Sequence, residues 1–216
     1  MSRLLLLRHG ESEWNAQGRW QGWADPPLSE LGRRQAREAG RRLQGEGFSA
    51  LASSDLERAR HTAELAASSL GLAADVHVDA DLREFDVGEW SGLTRPQIEA
   101  GWPAEFADWR AGRRDTAPGG EARGQFVDRV VAAVERLGAA FAGQTVLVIS
   151  HGGTIGTLER CLGVKPERPS HLGGRWIDWS PDALRAGAAH QLFPTGRVLP
   201  ASEPPARLGE ASEFSG

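Results

Sequence analysis

Two short apolar runs, at residues 4–7 and 146–149, each close on a histidine and a glycine. Arg8-His9-Gly10 follows the first, and Ser150-His151-Gly152-Gly153 ends the second. About four consecutive apolar residues between turn signals read as a strand buried on both faces. Such strands belong to parallel sheets covered by helices above and below. In open parallel sheets, ligands bind beyond the carboxyl ends of the strands. If these two strands are neighbours, His9 and His151 meet at one rim of the sheet.

The chain between them carries helical signals. Ser29 is a candidate N-cap for a helix with Leu31, Ala36, Ala39 and Leu43 on one face. Asp55 is a candidate cap for a second helix, with Leu56, Ala59, Ala63, Ala66 and Leu70 at helical spacing and a stop at Gly71. Val127, Val130, Val131, Val134, Leu137 and Phe141 mark a third over residues 122–141, and Ile155, Leu158 and Leu162 mark a fourth. Short strands fit at 48–53 and, as an edge, around Val76 and Val78; residues 175–180 and 189–193 read as closing strands. Residues 11–28 read as a long loop and 82–121 as irregular, with a short helix after Pro96. Alternating strands and helices predict an α/β fold around a mostly parallel sheet.

Composition narrows the function. The 216 residues suit one or two domains, and 40% apolar with 25% charged residues is ordinary for a globular protein. A net charge of −4 gives no global positive field for nucleic acid or an anionic membrane surface. The single cysteine, Cys161, excludes a disulfide framework and a cysteine-based metal site, and reads as a small core residue. The first apolar run is too short for a signal-peptide core, and no apolar stretch reaches about 18 residues. The expectation is a reduced, cytoplasmic, soluble protein.

Two imidazoles at strand ends could serve several chemistries. A metal site would need about three ligands at compact spacing, and no such set is present. Instead Arg8 precedes His9, and Arg58 opens the second helix. Arginine repels a cation and binds phosphate through charge-assisted bonds, so the pattern favours a phosphate. Asn15 offers an amide, and the N–H groups of Gly152 and Gly153 stand at a helix N-terminus, which favours negative charge. Glu84, with apolar residues on both sides of its segment, is the candidate general acid.

Arg8-His9-Gly10-Glu11-Ser12 with Asn15 and Gln21-Gly22-x-x-Asp25-x-Pro27-Leu28-Ser29 resemble the opening of the histidine phosphatase superfamily, the phosphoglycerate mutase-like proteins. Ser53-Ser54-Asp55-Leu56-x-Arg58-Ala59, Leu82-x-Glu84-x-x-x-Gly88-x-Trp90, Pro118-Gly119-Gly120-Glu121 and Ser150-His151-Gly152-Gly153 match its later blocks, in order, over residues 3–165. The resemblance implies a three-layer α/β/α sandwich, one domain over 1–200 with a loop or lid insertion at about 93–121. It also implies His9 as a nucleophile forming a phosphohistidine. Arg8, Arg58, Asn15 and His151 would hold the phosphoryl oxygens, with Gln21, Gly22 and Gly152 also binding phosphate or substrate. Glu84 would protonate the leaving oxygen and then activate water. No metal or other cofactor is implied, and the partner is a small phosphorylated substrate or inorganic phosphate. The protein would be a monomer or homodimer without nucleic-acid or membrane partners.

Mutases of this family carry a longer insertion before Pro-Gly-Gly; here only residues 93–117 fill it, and Arg95 and Arg110 match the mutase cations loosely. A phosphatase is therefore expected, with a bisphosphoglycerate-dependent mutase or a non-catalytic phospholigand-binding module as alternatives. Arg113-Arg114 reads as solvated charge. Trp14, Trp20, Trp23, Trp90, Trp102 and Trp109 all fall in the loop segments around the site, as loop packing or as an aromatic wall. His171 and His190 match no role, and residues 201–216 read as a disordered tail.

Overall fold

The computed structural model describes residues 1–167 and 169–193. The expected boundary at 200 and the tail at 201–216 lie outside the described residues. In chain order the elements are β1 (Ser2–Arg8), α1 (Glu13–Ala16), α2 (Glu30–Arg42), β2 (Ala50–Ser53), α3 (Glu57–Leu70) and β3 (Val76–Val78). Single 3₁₀ turns at Ala80–Leu82 and Gly88–Trp90 lead to α4 (Arg95–Gly101), α5 (Pro103–Arg110) and α6 (Arg123–Ala140). The chain then forms β4 (Thr145–Ser150), α7 (Gly152–Cys161), β5 (Gly173–Ser180) and β6 (Ala183–Gln191).

The six strands form one sheet in the order β3-β2-β4-β1-β5-β6. β3, β2, β4 and β1 are parallel, while β5 runs antiparallel to β1 and turns back into β6. The period-2 pleat sorts the apolar runs onto two faces. Leu4, Leu6, Val146 and Val148 pack under α6 and α7 against Val130, Val134, Ile155 and Leu158. Leu5, Leu7, Leu147 and Ile149 pack under α2 and α3 against Ala39, Leu43, Ala59 and Ala63. Helices on both faces make the three layers. Each fully buried leucine contributes about 1.5–3 kcal/mol.

Ser29 caps α2 as read, its hydroxyl accepting from the Gly32 N–H at 3.0 Å. Asp55 does not cap α3. Leu56 holds that position without a side-chain bond, and the Glu57 N–H donates at 2.8 Å to Asp25 from the distant loop. The Asp55 carboxylate instead accepts from Arg83 Nε at 2.8 Å. Residues 11–28 contain α1, formed by a capping box between Ser12 and Asn15. The stretch at 93–121 is more ordered than expected. A Thr94–Gln97 capping box starts α4, Pro103 starts α5, and Ile98, Phe106, Ala117, Val87 and Trp90 form a third apolar cluster. The closing strands begin earlier than predicted, because the second is paired with β5 from Ala183 onward. Cys161 is exposed at the end of α7, not in the core.

Candidate active site

β1 and β4 pair in register Arg8↔Ser150, and the His9 N–H extends the ladder to the Ser150 carbonyl at 2.9 Å. The two histidines therefore leave adjacent strands at the same level. Their ring centroids are 5.2 Å apart, edge to face at 62°. Both rings are buried.

His9 Nδ1 lies 2.6 Å from the carbonyl of Gly10. A carbonyl only accepts, so Nδ1 carries the proton and Nε2 presents a lone pair. Burial first, then the charges of Arg58, His151 and Arg8, hold the pKa of His9 well below the usual histidine range; the Gly10 bond opposes this only in part. His151 is likewise held well below that range, by burial and then by Arg58, Arg8 and Arg129. Neither ring nitrogen of His151 has a hydrogen-bond partner among the described residues. A negative ligand would reverse this balance, so a cationic His151 requires an anion beside it.

Arg58 is fully buried in the first turn of α3. Its Nη1 donates to the Ala24 carbonyl at 2.7 Å and its Nη2 to the Gly22 carbonyl at 2.9 Å, while Nε is buried without a partner among the described residues. Burial lowers its pKa to about 10, against the opposing charges of Glu84 and Asp25, so it stays cationic at neutral pH. Gly22 takes a φ of +52°, and a side chain there would strike Val87. Its carbonyl serves to fix Arg58. Arg8 donates through Nη1 to the Pro169 carbonyl at 3.1 Å.

Asn15 Oδ1 accepts from the Ser12 N–H and faces His171 Nε2, both at 3.2 Å. Gln21 Oε1 similarly accepts from the Ser12 hydroxyl at 2.8 Å. With the oxygens so engaged, both amides have NH₂ donors to offer.

Glu84 follows the first 3₁₀ turn. Its Oε1 accepts from the Phe85 N–H at 2.9 Å and its Oε2 from the Gly153 N–H at 3.0 Å. The Gly153 N–H, expected to face the anion, is thus taken by Glu84. Any Cβ at position 153 would lie 2.0 Å from Glu84 Oε1, so the second glycine of the motif is what lets the carboxylate sit there. Gly152, the first residue of α7, keeps its place at the helix N-terminus.

A cavity of about 700 Å³ joins these groups: Arg8, His9, Asn15, Gln21, Gly22, Arg58, Glu84 and Gly152 all line it. Arg95 and Arg110 are not drawn in; Arg95 pairs with Glu99, and Arg110 lies 6.0 Å over the Phe106 ring. The tryptophans divide. Trp90 is fully buried in the third apolar cluster, Trp20 and Trp109 line the cavity, and Trp23 donates its indole N–H to the Glu84 carbonyl at 2.9 Å.

Two participants escaped the sequence reading. His171 stands 6.2 Å from His9, ring to ring, in a region where the motif blocks have ended. Arg129, midway along α6, donates to the carbonyls of Asp81, Arg83 and Glu84 and pairs with Glu121, pinning the Glu84 segment. Glu121, in the Pro118-Gly119-Gly120-Glu121 block, was the one available signal for it. Among the described residues no cluster of three or more His, Cys, Asp or Glu could hold a metal ion, and no helix is long and apolar enough to cross a membrane.

The histidine phosphatase superfamily (branch 1) family model matches residues 4–178. A glucosyl-3-phosphoglycerate phosphatase of Mycolicibacterium vanbaalenii is 37% identical over 180 residues, covering 80% of this chain and 79% of the relative. A 2,3-bisphosphoglycerate-dependent phosphoglycerate mutase of Methylobacterium radiotolerans is 40% identical over 171 residues, covering 75% and 80%. Among solved structures, a mycobacterial glucosyl-3-phosphoglycerate phosphatase complexed with VO3 superimposes with a TM-score of 0.76 at 31% identity, covering 88% of this chain and 99% of that one. The α-ribazole phosphatase of Shigella flexneri gives 0.75 at 27% identity, covering 88% and 96%. With sheet, strand-end histidines and motif blocks all in agreement, the chain belongs to the histidine phosphatase superfamily, branch 1.

Proposed function

We propose that this histidine phosphatase hydrolyses small phosphomonoesters by passing the phosphoryl group first to Nε2 of His9 and then to water. The observation that carries the reading is the 2.6 Å contact between His9 Nδ1 and the Gly10 carbonyl, which leaves the other nitrogen free to attack. Arg8, Arg58, the Asn15 amide and the Gly152 N–H would receive the phosphoryl oxygens, and His151 would take a proton and add charge once the dianion arrives.

In the first step Nε2 forms a bond to phosphorus as the ester P–O bond breaks, and the leaving oxygen takes the proton of the Glu84 carboxyl. In the second, the Glu84 carboxylate removes a proton from water and the water oxygen bonds to phosphorus. The P–N bond breaks, its electron pair returns to Nε2, and inorganic phosphate leaves. The guanidiniums and His151 neutralise the transferring group throughout, the part that positioning and electrostatics play in phosphoryl transfer generally.

Hydrolysis is favoured over a mutase because Arg95 and Arg110 make their contacts with Glu99 and Phe106, away from the cavity. Enzyme mixed with a ³²P-labelled aryl phosphate and denatured in alkaline detergent should carry alkali-stable, acid-labile label on histidine. His9→Ala should carry none and lose turnover. Label persisting in that variant would overturn the assignment, and isomerisation of 3-phosphoglycerate primed with bisphosphoglycerate would favour the mutase.

A further inference from the structure

The cavity does not end at the phosphoryl cradle. Its wall also includes Arg19, Arg123 and Arg160 together with Trp109 and Phe126. Arg160 stands in the last turn of α7, eight positions after Gly152. At 1.5 Å per residue its Cα is roughly 12 Å along the helix from the reactive end. Arg123 opens α6; its guanidinium lies 4.5 Å over the Trp109 ring, Nη2 donates to the Trp109 carbonyl at 2.7 Å, and Nε is buried without a partner among the described residues. The hydrogen bonds of the three arginines go to neutral oxygens: Arg19 to Gly92 and Gln17, Arg160 to Thr157 Oγ1 at 2.8 Å.

Among the described residues Glu167 and, at the phosphoryl end, Glu84 also line the cavity. Burial lowers the pKa of Arg123, Asp115 opposes that, and Arg160 lowers it further, so the two guanidiniums stand in each other's field. Like charges held on one wall are relieved when an anion comes between them. A planar aromatic face beside them suits an apolar or ring-shaped body.

We infer that this far wall is a subsite for a second oxyanion, so that the substrate is a phosphomonoester whose leaving group carries a carboxylate or a further phosphate beyond an apolar or ring-shaped middle. This rests on the hydrolase reading above. The phosphoryl end is held by Arg8 and Arg58, the middle lies along Trp109 and Phe126, and the distal anion bridges Arg123 and Arg160.

The test compares three esters of one length: 3-(4-phosphooxyphenyl)propanoate, its neutral methyl ester, and the matching ethylphosphonate. Both anionic probes should exceed the methyl ester in kcat/KM by about tenfold, with the better of the two naming the preferred anion. Arg160→Gln and Arg123→Gln should each cut that ratio by about threefold or more. Arg160 is exposed at a helix end, so its variant keeps the test open should Arg123→Gln not fold. Equal kcat/KM for charged and neutral esters in the wild type, or ratios unmoved in both variants, would overturn the subsite while leaving the hydrolase standing. Turnover of none of the three would overturn both.

Discussion

The two ends of the cavity are built differently. At the reactive end three side chains are fixed by backbone, His9 by the Gly10 carbonyl, Arg58 by Ala24 and Gly22, and Glu84 by the N–H groups of Phe85 and Gly153, while the His151 ring has no hydrogen-bond partner among the described residues. His9 and Arg58 sit at a strand end and a helix start anchored in two apolar cores, and Glu84 reaches them from a loop through the Gly153 N–H. At the far end Arg123 lies over the Trp109 ring and donates to the Trp109 carbonyl on α5, and Arg160 bonds to its own helix neighbour Thr157. His9 follows directly on the end of β1, and Gly153 stands in the first turn of α7 just after β4, so neither can move without the sheet; Trp109 sits on α5, a helix of eight residues packed in the separate third cluster. On the function proposed above, the contrast would place the transfer chemistry on the two main cores and the choice of leaving group on a separately packed segment.

The sharpest way to break this contrast is at Glu84. Glu84→Gln should lower kcat for alkyl phosphates by about 10²–10⁴, the range for losing a proton donor, and lower it far less for p-nitrophenyl phosphate. Equal losses on both substrates, measured by phosphate release, would remove Glu84 from proton transfer. Next comes Gly153→Ala, which removes no hydrogen-bonding group. Its Cβ would meet Glu84 Oε1 at 2.0 Å and must displace the carboxylate. Misplacement by about 1 Å costs up to about 10²-fold, and the loss should show the same leaving-group dependence as Glu84→Gln. A uniform loss would mean that the glycine serves only the backbone.

The smallest effect is on stability. His9 and His151 bind protons less readily folded than unfolded. As pH falls below about 6.5, the unfolded chain takes up protons that the folded chain refuses, so stability falls with pH. Each histidine contributes up to about 1.4 kcal/mol per pH unit, from the unfolded pKa down to its folded one. Urea unfolding at pH 7 and pH 5.5 should show this loss, and saturating phosphate should reduce it by favouring protonated His151. A stability that does not change between those pH values would contradict the buried neutral pair. No comparable dependence is expected of the far-end arginines.

Much of this reactive end was legible before any coordinates. The apolar runs gave β1 and β4 their place, and the His-Gly endings put both imidazoles at one rim, 5.2 Å apart. The Ser29 cap and the apolar spacing of α2, α3 and α6 also read correctly, because capping and helical periodicity involve residues only a few positions apart. The failures share a cause. Asp55 was assigned to the N–H groups beside it, yet Arg83 claims it and Asp25 supplies the cap from across the loop. Segment 82–121 reads as irregular with a short helix after Pro96; α4 matches that helix, while α5 is missed because it is short and leans on Trp20 and Trp90 rather than on its own periodicity.

Taken alone, the sequence determined the strands, the faces they bury, the family blocks and hence the residues gathered around His9. Burial follows from local spacing, and spacing is written along the chain. Tertiary structure alone decided that Arg129 pins the Glu84 segment, that His171 stands beside His9, and that Arg123 and Arg160 line the same cavity. A polar side chain accepts any partner that folding brings within reach, and nothing in its neighbours along the chain says which one that will be.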